Sequence, residues 1–243
     1  MTPQSLAAPV TDGPPPLPRE GAWKHLPIAP RSLGEAFSAL GNGKQSLLLA
    51  GGTDIIVQLR EGRRRCDRSI DLKHIPELTS FRFTADGGLE IGAATPLAEL
   101  YENADVRKRF QPSSMPRPSS VVPPSSRGRA LAATSATRAA ADSSPAMIAL
   151  GAHLVIAGRT ATGKSPSRTF SPGPGRNTLQ PGEIYLGEAA GPGPELRGVL
   201  PPLHPPEQEM DIAVASSGVS ITLDGAGNIT AARVALGAVA ATP

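Results

Sequence analysis

The spacing of apolar residues between positions 31 and 111 predicts an alternation of short helices and strands. Apolar side chains three and four residues apart indicate a helix, and Ser32 is a candidate for its N-cap. Short continuous apolar runs indicate buried strands instead. We expect this segment to fold, because its local signals agree with one another. The predicted elements are a helix over 32–40, strands over 46–50 and 68–72, helical character over 55–60, and a turn over 75–78.

Two further local signals extend this pattern. Phe81-Arg82-Phe83 and Leu89-Glu90-Ile91 flank a turn sequence containing Gly87-Gly88, which predicts a hairpin. Thr95 and Pro96 predict a helix start, with Thr95 as the N-cap and Pro96 at the first helical position. Beyond residue 140 the pattern predicts a helix over 142–150, a strand over 153–157, and two strands over 211–223 and 229–239 around a loop at 224–228.

The prolines are unevenly distributed along the chain, and their clusters separate the segments with regular patterns. The chain has 26 glycines and 27 prolines in 243 residues, well above the usual share. Only two prolines lie between residues 31 and 111, whereas five lie between 112 and 124 and ten between 166 and 206. We therefore expect irregular chain in these two proline-rich stretches, and a disordered or polyproline leader over residues 1–24.

Composition excludes several classes of protein. The single cysteine, Cys66, excludes an internal disulfide and a cysteine-based zinc or iron–sulfur site within this chain, and it fits a reducing cytoplasm. The net charge of +3 is too small to indicate nucleic-acid binding. No apolar run approaches the roughly 18 residues of a membrane helix, and residues 1–20 lack a secretory signal. We expect a cytoplasmic protein with no membrane span.

The clearest candidate for a binding site is the run Leu47-Leu48-Leu49-Ala50-Gly51-Gly52-Thr53-Asp54-Ile55. A strand that ends in paired glycines lets the backbone approach a ligand, because no Cβ atom intervenes. Successive N–H groups in the turn and at the following helix start can then hold a phosphate. An ordinary strand-to-helix turn remains the alternative from spacing alone, since paired glycines are common in turns.

Three other patterns favour ordinary roles. The arginine-rich segment 60–68 is interleaved with acidic residues and has no aromatic residue nearby, so we expect a solvated loop rather than a nucleic-acid site. The four histidines lack metal-ligand spacing. Residues 158–165 match a phosphate-binding G-x-x-x-x-G-K-S pattern, but the following Pro166-Ser167-Arg168 cannot supply the helix that such a site requires.

Several motifs, taken in order, resemble one family. They begin with Ala50-Gly51-Gly52-Thr53-Asp54, and the chain is similar to the FAD-binding (medium) subunit of the molybdenum hydroxylases, the carbon monoxide dehydrogenase and xanthine dehydrogenase family. The resemblance covers roughly 31–111 and most of 140–243. The other motifs are Asp71-Leu72 with Ile75-Pro76-Glu77-Leu78, Leu89-Glu90-Ile91-Gly92-Ala93, Asp142-Ser143-Ser144-Pro145-Ala146, Gly173-Pro174-Gly175-Arg176-Asn177, Pro181-Gly182-Glu183-Ile184, Glu209-Met210-Asp211-Ile212-Ala213 and Ala235-Leu236-Gly237-Ala238-Val239.

The resemblance implies an α+β fold of the molybdopterin dehydrogenase (PCMH/VAO-like) type. Two FAD-binding subdomains, over 25–83 and 84–190, would hold FAD between them, followed by a truncated C-terminal sheet domain over 208–243. The glycine segment would bind the FAD diphosphate, Asp142 would lie near the flavin, and Ile184 would contact the ring system or serve as an ordinary apolar strand residue. No catalytic side chain and no metal ligand is expected. The cofactor-binding residues implied are Ala50, Gly51, Gly52, Thr53, Asp54, Asp142 and Ile184.

The same resemblance implies an oxidoreductase subunit that works with partners. A large subunit would carry the molybdenum cofactor and a small subunit the [2Fe-2S] clusters, in a dimer of heterotrimers. Electrons would pass from the clusters through FAD to an external acceptor.

One family motif is missing. A Gly-Gly-Asn preceded by an aliphatic residue is expected near 130–136, but residues 127–138 do not contain it. A shifted reading frame with suitable codons would encode this motif and three other family-like segments. We therefore hypothesise that 112–139, 159–172 and 187–207 are frame-shifted translations. The alternative function is then a flavin-free, non-enzymatic remnant of such a subunit.

Overall fold

The computed structural model describes residues 27–41, 43–53, 55–110, 144–173, 176–191, 196–203, 215–237 and 239–240. Within these residues the chain forms six α-helices and ten strands, and the strands are arranged in three separate sheets.

The first sheet has two parallel strands, β1 (Ser46–Leu49) and β2 (Arg68–Asp71). Helix α1 (Leu33–Leu40) precedes β1, and helix α2 (Ile55–Arg60) connects the two strands. The Glu35 N–H donates to the Ser32 side chain at 3.3 Å, which confirms Ser32 as the N-cap. The strand–helix–strand order predicted for this segment is confirmed.

The second sheet has five antiparallel strands, and their bounds are β3 (Phe81–Phe83), β4 (Leu89–Gly92), β5 (His153–Ala157), β6 (Thr162–Pro166) and β7 (Ile184–Ala190). Their order in the sheet is β3-β4-β7-β5-β6. The predicted hairpin is confirmed as β3 paired with β4. One short helix precedes β3 along the chain, and two follow β4. The helices are α3 (Pro76–Thr79), α4 (Leu97–Glu102) and α5 (Ala104–Phe110).

The third sheet has three antiparallel strands, β8 (Leu196–Leu203), β9 (Ala215–Leu223) and β10 (Ile229–Gly237), with β9 in the centre. Helix α6 (Ser144–Ala149) packs closely against β9. The two backbones are so near that a Cβ atom at Gly218 would collide with the Pro145 carbonyl oxygen. The predicted hairpin around residues 224–228 is confirmed as β9 paired with β10.

Buried apolar side chains form separate clusters beside the two-stranded and the five-stranded sheets. One cluster, including Ala36, Ile70, Leu78 and Ile184, joins α1 and the two-stranded sheet to the start of β7. A second cluster, including Leu89, Leu100 and Phe110, fills the space between the five-stranded sheet and α4 and α5. Burial of these side chains removes apolar surface from water, which is the main favourable contribution to folding.

A β-bulge in β7 shapes the centre of the large sheet. The register of β7 against β5 shifts at this point: Val155 pairs with Gly187, whereas the next residue, Ile156, pairs with Tyr185. Leu186 is therefore the extra residue of the bulge. The extra residue places Tyr185 and Glu188 on one face, and the Tyr185 hydroxyl donates to the buried Glu188 carboxylate at 2.8 Å. Gly187 has φ +154° there, and a Cβ atom would collide with the Ile91 carbonyl oxygen.

Two local predictions are wrong. Helix α4 begins at Leu97 with Pro96 as its N-cap, and the buried Thr95 hydroxyl donates to the Ser80 carbonyl at 3.0 Å instead of capping the helix. The predicted turn over 75–78 lies mainly in helix α3, which follows a 3-10 turn over Leu72–His74.

The proline-rich stretch 166–206 is more regular than its composition predicts, because β7 and β8 both lie in it. Strand β8 lies at an edge of its sheet, and its pairing with β9 breaks between Leu200 and Leu203. Pro201 and Pro202 occupy that break, where the ladder needs no N–H donor from them.

The proline-rich stretch 112–124 and the leader over 1–24 lie outside the described residues. Within the described part, no helix is long and apolar enough to cross a membrane.

Candidate functional site

The candidate site is formed where the two parallel strands end. Because β1 and β2 run in the same direction, their carboxyl ends meet at one edge of the sheet. Residues 50–53, here called the glycine loop, follow β1, and Leu72–His74 follow Asp71, the last residue of β2. Ligands of α/β proteins commonly bind at such an edge.

Gly52 determines the path of the glycine loop. Its φ of +75° lies in the left-handed region that favours glycine. A Cβ atom here would lie 2.8 Å from Ile56 Cδ1, in the first turn of α2. The Ile56 N–H donates to the Gly52 carbonyl at 3.0 Å, so the loop and the helix start form one unit.

The N–H groups of the glycine loop are available to a ligand. Among the described residues, no atom accepts a hydrogen bond from the N–H groups of Gly51, Gly52 or Thr53. Backbone donors of this kind are otherwise almost always paired, with protein or with water. Successive unpaired N–H groups in a turn form a site for an anion.

A basic side chain from the second strand reaches the same loop. Lys73 Nζ donates to the Ala50 carbonyl at 3.2 Å and lies 3.1 Å from Asp71 Oδ1. His74 Nε2 lies 3.9 Å from the other carboxylate oxygen, Asp71 Oδ2. Asp71 thus holds two potentially cationic groups beside the loop.

Sequence reasoning missed Lys73. Lys73 is 23 positions from Ala50, and nothing in its immediate neighbours marks it as a ligand-binding residue. The available signal was structural: if β1 and β2 are parallel neighbours, the residues that follow each of them must lie together.

The remaining predicted site residues have different placements. Ile184 is fully buried, in the cluster against which Ala50 packs, so the structure brings the start of β7 and the glycine loop to one core. Its side chain offers no surface to a ligand in this packing, and the contact with a flavin ring stays a prediction. Asp54 and Asp142 lie outside the described residues.

This donor set fits the diphosphate of a dinucleotide. Backbone N–H groups and an ammonium group are hydrogen-bond donors that carry partial or full positive charge, as phosphate oxygens require. The positive φ of Gly52 also lets the loop adopt the turn in which these N–H groups follow one another.

The other sequence candidates lie elsewhere. Residues 158–165 belong to the β5–β6 hairpin, where Lys164 pairs with Val155, and only a single 3-10 turn over Ser167–Thr169 follows in place of the α-helix that a phosphate site of this kind needs. In the arginine-rich segment, Arg63 pairs with Glu61, and Arg68 donates to the Ala39 carbonyl at 3.1 Å. Among the described residues, no group of three or more His, Cys, Asp or Glu side chains could hold a metal ion.

Comparison with known proteins decides what the site belongs to. Residues 27–187, about two thirds of the chain, match the family described as FAD binding domain in molybdopterin dehydrogenase. The chain belongs to this family. The resemblance inferred from the motifs is thereby confirmed, as is FAD as the cofactor of this domain.

Curated relatives of this molybdopterin dehydrogenase domain agree. The xanthine dehydrogenase FAD-binding subunit of Escherichia coli O157:H7 is 30% identical over 215 residues, which cover 87% of this chain and 73% of that protein. The putative xanthine dehydrogenase FAD-binding subunit of strain K12 matches equally well. The chain is thus an oxidoreductase subunit by family.

Solved structures confirm the fold. Carbon monoxide dehydrogenase from Hydrogenophaga pseudoflava matches with a TM-score of 0.78 and 25% identity, over 90% of this chain and 76% of the matched one. Quinoline 2-oxidoreductase from Pseudomonas putida 86 matches with a TM-score of 0.73 and 22% identity, over 90% and 75% of the two chains. The α+β fold expected of a molybdopterin dehydrogenase FAD-binding domain is therefore confirmed.

Proposed function

We propose that this chain is the electron-transferring FAD subunit of a molybdenum hydroxylase. In this proposal it receives electrons from iron–sulfur clusters and passes them through FAD to an external acceptor. The observation that carries the proposal is the glycine loop, whose unpaired N–H groups and adjacent Lys73 lie at the end of two parallel strands in a domain of this family.

The protein's task in this proposal is binding and orientation. FAD supplies the redox chemistry when it is bound, because a flavin accepts electrons and passes them on. The residues of the chain hold the diphosphate, bury the cofactor and set its surroundings. No general acid or base is needed, so we assign no catalytic residue and no metal ligand.

We propose the following binding residues. The N–H groups of Ala50–Asp54 hold the diphosphate, Asp142 lies near the flavin, and Ile184 borders the ring system, which requires that flavin binding uncover its buried side chain. The common core of Ala50 and Ile184 supports a location of the cofactor between the segments 25–83 and 84–190, with residues 208–243 as part of a C-terminal sheet domain.

The proposal includes partner subunits, which family membership supports. With Cys66 as its single cysteine, the chain cannot itself hold a cysteine-ligated iron–sulfur cluster. We propose that a small subunit carries the [2Fe-2S] clusters and a large subunit the molybdenum cofactor, in a cytoplasmic dimer of heterotrimers. The matched carbon monoxide dehydrogenase structure from H. pseudoflava lacks the Mo-pyranopterin moiety of the molybdenum cofactor, and the similarity of this chain to an enzyme that uses this cofactor supports a molybdenum-bearing partner.

Electron transfer is tested in the assembled enzyme. After FAD is removed, substrate should still reduce the molybdenum centre and the clusters in a single turnover, while steady-state reduction of the external acceptor stops. Addition of FAD should restore it. Continued acceptor reduction without flavin would contradict the proposed route.

A second candidate function rests on the missing glycine motif at 127–138. If 112–139, 159–172 and 187–207 are frame-shifted, the chain as written is a flavin-free, non-enzymatic remnant that at most docks to a partner. Parts of these segments have regular structure, since β6 pairs with β5 and Phe170 is buried. Resequencing the gene from codon 110 to its stop codon tests the frameshifts, because single-base corrections would restore the motif if they occurred.

A further inference from the structure

We infer that Lys73 is the cation of the FAD diphosphate site, supplied to the glycine loop by the neighbouring parallel strand. This inference rests on the proposed function and names a residue that determines the strength of FAD binding there. It also predicts which chemical part of FAD the residue recognises, namely the diphosphate and not the flavin ring.

The position of the ammonium group supports this role. Lys73 Nζ lies 3.2 Å from the Ala50 carbonyl oxygen, at the residue where the glycine loop begins. Among the described residues, it is the basic side chain that bonds to residues 50–53. An anion held by the loop N–H groups therefore has this cation beside it.

The surroundings of Lys73 hold it in place without covering it. Its ammonium group uses one hydrogen bond for the Ala50 carbonyl and pairs with the Asp71 carboxylate, which leaves a third donor for a phosphate oxygen. The Asp71 carboxylate also accepts from the Lys73 N–H at 3.0 Å, which fixes the backbone from which the side chain extends. The Lys73 side chain is 47% exposed, so a ligand can reach it.

Charge explains why the loop requires this residue. Loop N–H groups carry only partial positive charge, whereas a diphosphate carries about two negative charges that a single turn does not balance. Asp71 offsets part of the lysine charge, and His74 beside Asp71 offsets part of the carboxylate charge when the imidazole is protonated. The balance at the loop therefore depends on Lys73.

The test measures FAD affinity of the purified full chain by quenching of flavin fluorescence. Lys73→Met keeps the length of the side chain and removes its charge, so we expect FAD affinity to fall about tenfold, as for loss of a charge-assisted hydrogen bond. Lys73→Arg keeps the charge and should bind within about threefold of the wild type. Lys164→Met, an exposed lysine on β6, is the matched control and should bind FAD normally.

Two further measurements separate charge from structure. Raising the salt concentration from about 0.05 to about 0.5 M should weaken FAD binding in the wild type more than in Lys73→Met. The salt screens the attraction between the Lys73 ammonium group and the diphosphate, and the variant lacks this attraction. Competition by ADP, which carries the diphosphate, should weaken in Lys73→Met, and thermal unfolding should show that the variant is folded.

The outcomes are distinct. If the wild type binds FAD and Lys73→Met binds it equally well, the inference is wrong while the proposed function stands. If Lys73→Arg binds as weakly as Lys73→Met, the charge is not the determinant, and the inference is again wrong. If the folded wild-type chain binds no FAD at all, the proposed function fails and the inference fails with it.

Discussion

Gly52 is the residue on which the shape of the glycine loop depends. Its positive φ costs a side-chain-bearing residue about 1–2 kcal/mol, and a Cβ atom would press on Ile56 in the first turn of α2. A larger residue would therefore strain the loop and force the Ile56 side chain to move.

Gly52→Ala should accordingly lower FAD affinity by at least about tenfold, because the loop N–H groups leave their positions. Gly62→Ala is the matched control, since Gly62 also has a positive φ of +70° but has open space around its Cβ position. Flavin fluorescence titration of both variants checks the prediction. Equal FAD affinity in the two variants would show that the loop geometry does not matter.

Residue-level chemistry could be predicted from sequence only in part. The paired glycines after an apolar run marked the loop, because strand end and glycine are adjacent along the chain. Lys73 could not be marked, because its contact with Ala50 depends on the parallel pairing of β1 and β2. Local sequence predicts Thr95 as a helix cap, but its hydroxyl donates to the Ser80 carbonyl, 15 positions away, instead.

At the scale of elements, the β7 bulge organises the centre of the five-stranded sheet. It brings the Tyr185 hydroxyl to the buried Glu188 carboxylate, and only glycine fits at Gly187 beside the Ile91 carbonyl.

Gly187→Ala should destabilise the fold by about 3 kcal/mol or more, because both the backbone conformation and the contact with β4 are disallowed. Gly163→Ala on β6, where a Cβ atom meets nothing within 4 Å, should leave stability nearly unchanged. Urea unfolding of the two variants measures the difference. A small effect at Gly187 would mean that the bulge is not required.

The β9–β10 hairpin has a pH-sensitive turn. Asn228 donates from its side chain to Asp224 Oδ2 at 3.1 Å and from its N–H to Oδ1 at 2.8 Å, and these bonds, with those from neighbouring N–H groups, lower the pKa of Asp224 below its ordinary value of 3.8. Because the folded pKa is depressed, the stabilisation is present above about pH 3.8 and is lost as pH falls through the folded pKa.

Asp224→Asn should therefore lower the melting temperature at neutral pH and have little effect at pH values below the folded pKa. Melting curves of the wild type and the variant across an acid series test this. A difference between them that persists unchanged at low pH would contradict the role of the ionised carboxylate.

Elements with local signals were predictable, and elements defined by distant pairing were not. Helix α1 and the β3–β4 and β9–β10 hairpins follow from spacing, capping and turn residues close in sequence. The insertion of β7 between β4 and β5 joins segments about a hundred residues apart, which no local pattern encodes. Strand β8 is not predicted from sequence, because Pro201 and Pro202 argue against a strand. An edge strand tolerates them where its pairing is broken.

At the scale of the whole molecule, α1, the two-stranded sheet and the start of β7 share the cluster around Ile184, and this cluster places the glycine loop on a folded core. Family membership and this placement support FAD binding as the property on which every other part of the proposed function depends. Electron transfer, partner subunits and the role of Lys73 all presuppose a bound flavin.

The flavin content of the purified full chain tests this claim most directly. The chain is incubated with excess FAD, freed of unbound cofactor by gel filtration, and examined for visible flavin absorbance and for FAD released on denaturation. We predict close to one FAD per chain. A chain that unfolds cooperatively, and is therefore folded, but retains no flavin would contradict the account and favour the flavin-free remnant.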